Sequence, residues 1–196
     1  MNNTKYAWKY FARLGDEFVI SYSRLTGQTP AATVFNIGHG IELYLKAVIL
    51  KLEPETDVLT YRHDVGKLLS DINSLEPGLL KDFQLNSRFY TKFIDKKIGE
   101  NIDYDDPDYA EFLTHQELYW VAKYLMHIKY LGTPRTRLPE SYVFYSTPCS
   151  QYWIAFLKEI RSFLNWPNEG GEYDSIKDSV RYNTNEQSRN FLKQLI

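Results

Sequence analysis

The chain of 196 residues, 43% hydrophobic and 24% charged, has the size and composition of one globular domain, which excludes disordered, collagen-like and low-complexity classes. Its formal charge of −2 excludes the molecule-wide basic field that drives non-specific binding to nucleic acid, so a phosphate-binding surface must be local. A single cysteine, Cys149, excludes an intramolecular disulfide framework and a cysteine-based zinc site, and it points to the reducing cytoplasm.

Met1 to Lys5 lead into a polar and aromatic stretch with no apolar secretory core. No window holds the roughly 18 apolar residues that a membrane span needs. From Trp8, the residues Phe11, Leu14, Phe18, Tyr22 and Leu25 recur every three or four positions, which predicts a first helix stopped at Gly27. Thr29-Pro30 reads as an N-cap followed by proline in the first turn. The second helix it opens carries Val34, Ile37, Ile41, Leu45, Val48 and Leu52, and it is apolar around most of its circumference, the mark of a central helix.

A third helix follows His63-Asp64 through Val65, Leu68, Leu69, Ile72 and Leu75, and Pro77-Gly78 breaks it. Residues 79–100 fit either a short helix with a loop or one irregular helix. Asp106-Pro107 opens a long fourth helix through Phe112, Trp120, Tyr124 and Ile128 to Gly132, and Thr147-Pro148 opens a fifth through Trp153, Phe156, Ile160 and Leu164. Residues 165–183 read as a polar linker, and Thr184 with Gln187 reads as a capping box for a short terminal helix. The expectation is an all-α, up-and-down bundle of four to five main helices over 1–166. A linker and short helix over 167–196 dock on the same domain.

Two motifs stand out, Gly38-His39-Gly40-Ile41-Glu42-Leu43-Tyr44-Leu45-Lys46-Ala47 and His63-Asp64-Val65-Gly66-Lys67-Leu68-Leu69. His39, Glu42 and Lys46 stand at i, i+3 and i+7, so they form a polar strip on one face of an apolar helix. Two readings are open: a ligand or dimer-contact surface in which Glu42 sets the charge state of its neighbours, or an internal network that orders helix packing. His63-Asp64 likewise fits either an acid–base pair or a helix cap.

Together the two motifs resemble the helix pair of the HEPN (higher eukaryotes and prokaryotes nucleotide-binding) family. There a buried helix with a His and Glu-x-x-x-Lys-Ala pattern precedes a His-Asp that opens the next helix. The resemblance spans mainly residues 30–75, and it implies a HEPN-like bundle that pairs as a homodimer. Catalytic HEPN proteins are similar to metal-independent endoribonucleases with an Arg-x(4–6)-His motif, and none of His39, His63, His115 and His127 has an arginine at that distance upstream. After the long helix the order is reversed, with His127 preceding Arg135 and Arg137.

That segment is the best local basic patch, since Lys123, Lys129, Arg135 and Arg137 gather with Tyr124 and Tyr130. Cations with aromatics suit phosphates and bases, and a helix C-terminus also favours cations through its dipole. The acidic run Glu100, Asp103, Asp105, Asp106 and Asp108 lacks calcium-loop spacing and reads as a solvated loop with an N-cap. Neither a cofactor nor a metal is expected.

The functional expectation is a HEPN-like, non-catalytic binding or assembly module linked to RNA, nucleotides or a nucleotidyltransferase-like partner in bacterial stress or defence. One alternative is a toxin-like endoribonuclease using His127 with Arg135 or Arg137. Another is a purely structural dimerisation protein.

Overall fold

The computed structural model describes residues 7–25, 30–95, 101–131, 150–167 and 174–196, together with the side chains of all of these except 30, 31 and 127–131. The described chain is helical: α1 (Ala7–Arg24), α2 (Pro30–Leu52), α3 (Val65–Leu75), α4 (Ser87–Phe89), α5 (Pro107–Leu131), α6 (Gln151–Leu164), α7 (Ser175–Tyr182) and α8 (Glu186–Lys193). A 3-10 turn, Val58–Tyr61, links α2 to α3, and a π-helical turn, Tyr90–Ile94, extends α4. No described helix is long and apolar enough to cross a membrane.

Helix α2 is the axis of the fold because its sequence leaves almost no polar face. Ile37, Ile41, Tyr44, Leu45, Val48 and Ile49 are all fully buried. Helix α1 lies along it through a stripe of Trp8, Ala12, Gly15, Val19 and Tyr22. Two glycines set how closely these helices approach. A Cβ on Gly15 would sit 2.9 Å from the Tyr44 ring, and one on Gly40 would sit 3.0 Å from Val19, so the crossing needs hydrogen at both positions. Helices α3, α5 and α6 cover the rest of α2.

The sequence expectations need correction in three places. Residues 165–183 are not all linker: Asp174 caps α7 by accepting from the Lys177 amide at 2.9 Å, and α7 buries Ile176 in the core. The terminal helix is capped by Asn185 rather than by the Thr184 box, with its side chain accepting from the Ser188 amide at 2.9 Å. Helix α6 opens at Gln151 on a Ser150 cap, later than Thr147-Pro148 suggests, because the serine hydroxyl meets the Trp153 amide. Of the two readings open for 79–100, the described residues 79–95 fit the short helix with a loop: after an extended stretch, Pro77–Leu80, they form α4 and its π turn, and 96–100 lie outside the described residues.

Helices α7 and α8 pack on α1: Phe191 meets Tyr22 edge-on at 5.6 Å, and the Ser23 and Ser188 hydroxyls are 2.7 Å apart. A smaller aromatic cluster of Phe89, Phe93, Phe112 and Tyr119 joins the α4 region to α5.

Candidate functional site

The polar strip of α2 converges on one carboxylate. Glu42 is buried, and its Oε1 accepts from Lys46 Nζ at 2.5 Å, one helical turn away. Its Oε2 lies 3.4 Å from His39 Nδ1 and 2.8 Å from His63 Nδ1. His63 reaches α2 because the chain reverses after the 3-10 turn. Arg62 adopts a left-handed φ of 51°, and its carbonyl accepts from Lys46 Nζ at 2.7 Å. The lysine therefore binds the carboxylate and the turn that delivers His63 at once.

Burial alone would raise the Glu42 carboxyl. The contact with His39, the Lys46 charge and the His63 hydrogen bond outweigh it and hold the group at about 2. The cluster opens outward through its imidazoles: the His39 side chain is 16% exposed and that of His63 is 32% exposed, against 4% for Glu42. Phe18 and Phe35 flank the His39 ring at 5.5 and 4.3 Å.

Asp64, beside His63, caps α3 by accepting from the Lys67 amide at 3.0 Å. It also lines a groove of about 450 Å³ with Lys67, Leu85, Tyr90, Asp95, Lys123 and Met126. This groove brings the second sequence motif next to the start of the basic segment. Lys123 pairs there with Asp95 at 2.5 Å, and the Lys67 ammonium stands 5.0 Å from the Tyr61 ring. Of the remaining predicted nucleic-acid residues, Lys129 and Tyr130 lie in α5 with side chains outside the described set, as does His127, while Arg135 and Arg137 lie outside the described residues. In the acidic run, Lys92 Nζ donates to Asp106 and Asp108 at 2.7 Å each, and Arg88 pairs with Asp108 at 2.8 Å.

Two polar clusters escaped sequence reasoning. In the first, Asp16 of α1 is fully buried and accepts from Tyr44 of α2, from Arg161 of α6 and, at 2.8 Å, from the Trp166 indole. Burial raises the Asp16 carboxyl against the opposing pull of Arg161. Arg161 Nε also donates to the Leu195 carbonyl at 3.1 Å, which ties the chain end to the core. In the second, Glu117 of α5 accepts from the Ser150 hydroxyl at 2.9 Å, and burial pushes its carboxyl up to about 7. Tyr152 stands close by, with its hydroxyl 3.3 Å from His115 Nδ1.

Compared with known proteins, the chain matches no family model, no curated protein and no solved structure.

Proposed function

We propose that the chain is a HEPN-like, up-and-down helical bundle that serves as a non-catalytic binding and assembly module for RNA or a nucleotide. It works as a homodimer or with a nucleotidyltransferase-like partner in cytoplasmic bacterial stress or defence. The observation that carries this reading is the groove between α3 and α5, where Lys67, Tyr90 and Lys123, the last paired with Asp95, stand beside the Asp64 cap. Ammonium groups with an adjacent ring suit a phosphate and a stacked base. The absence of an arginine at the family spacing from any histidine favours binding over cleavage.

The test is fluorescence anisotropy with labelled single-stranded RNA and a labelled nucleotide at low and moderate salt, using the full chain. Lys67→Ala with Lys123→Ala weakens RNA binding and lowers the salt slope by about 0.7 for each phosphate that is no longer neutralised. RNA recovered from the same solutions is intact. Binding that the double change leaves untouched removes the groove from the account. RNA cleavage abolished by His127→Ala replaces the binding module with the ribonuclease.

A further inference from the structure

We propose that His39, Glu42 and His63 form a site for a divalent transition-metal ion of the zinc class. One ligand-type atom from each residue falls in a group no wider than 4.8 Å, and among the described residues no other three His, Cys, Asp or Glu side chains converge in this way. An ion with tetrahedral bonds of about 2.0–2.1 Å holds its ligands about 3.3 Å apart. Glu42 Oε2 is already 3.4 Å from His39 Nδ1 and 2.8 Å from His63 Nδ1, so a few tenths of an ångström separate the carboxylate edges from that spacing. The remaining adjustment falls on the His63 ring, whose side chain is 32% exposed and has solvent to move into.

The donor set selects the ion. Two imidazoles and one carboxylate suit zinc, cobalt or a similar cation, whereas magnesium and calcium prefer a shell of oxygens. Three protein ligands at a surface-facing cluster leave a fourth position for water or a bound group. The supports of such a site are also present. Lys46 holds Oε1 at 2.5 Å and thereby directs Oε2 towards the imidazoles, while the Phe35 ring packs against His39 at 4.3 Å. The Lys46 charge opposes a cation, so the affinity is lower than that of a closed structural zinc site.

This inference goes beyond RNA or nucleotide binding and is tested without either. The full-length chain, stripped with a chelator, is titrated with Co²⁺ followed by absorption spectroscopy, and then with Zn²⁺ in competition with a chromophoric chelator. One ion binds per chain with the absorption of low-symmetry Co²⁺. His63→Ala weakens it at least about tenfold, and His115→Ala leaves it unchanged. Because a variant can lose helicity, zinc is also added to the unaltered protein while the histidine ring resonances are followed by NMR. The rings of His39 and His63 shift and that of His115 does not. No stoichiometric binding, affinity indifferent to a folded His63→Ala protein, or ring shifts at His115 instead overturns the site.

Discussion

Replacing Glu117 with glutamine gives a pH-dependent gain in stability whose size follows from the structure. The Glu117 carboxyl is largely enclosed between α5 and the start of α6, and burial raises it from 4.5 to about 7 although Ser150 donates to it. A carboxyl raised in the native state keeps its proton where the unfolded chain has released it. Its contribution is fully present below about 4.5 and is lost as the pH climbs through about 7. One proton across one pH unit is worth about 1.4 kcal/mol, so the interval amounts to ~3 kcal/mol, trimmed to ~2–3 kcal/mol by partial solvent contact. Glutamine keeps the shape and the acceptor for Ser150 but cannot ionise. Urea unfolding of both proteins from pH 4 to pH 8 measures the difference directly, because the other titrating groups cancel. The variant gains ~2–3 kcal/mol relative to the parent as the pH rises over that range. Parallel stability curves refute the reasoning and mean that Glu117 is solvated in the native protein.

Asp16→Ala strands the Arg161 guanidinium inside the core and costs about 3–5 kcal/mol in chemical denaturation. Adding Arg161→Met recovers part of that loss, and strictly additive effects would show that the two groups do not interact. Gly15→Ala drives a methyl group into the Tyr44 ring and costs about 1–3 kcal/mol, whereas Gly66→Ala, whose nearest neighbour is 3.6 Å away, is neutral or slightly stabilising. Equal melting temperatures for the two glycine variants would contradict the close α1–α2 crossing. Glu42→Ala lowers stability more than Glu17→Ala at the exposed face of α1, since it leaves the buried Lys46 without its carboxylate, and equal denaturation midpoints would mean that the α2 strip is solvated.

Much of the fold is legible from periodicity and proline placement. Pro30 and Pro107 begin α2 and α5, and the all-round apolar surface of α2 marks it as the central helix. Helix α7 is obscured because Ile176 and Val180 are its only large aliphatic residues, too few to make a stripe stand out among the polar residues beside them. The candidate site is half legible. Helical spacing places His39, Glu42 and Lys46 together, but it cannot place His63, which arrives from 21 residues away through a turn fixed by the left-handed Arg62 and its hydrogen bond from Lys46. The Asp16–Arg161 pair joins residues 145 positions apart, and no local pattern encodes such a pairing. Glu117 looks like any helical glutamate until its environment is known, because its shifted carboxyl arises from burial rather than from its sequence neighbours.

Backbone amide NMR of the isotopically labelled chain, with a short single-stranded RNA or a nucleotide added at low salt, tests the central claim most directly. Saturable shifts are expected at Asp64, Lys67, Tyr90 and Lys123, the residues that share the groove between α3 and α5. Shifts confined to another surface, such as Glu186, Gln187 and Asn190 of α8, or no shifts with either ligand, would contradict it.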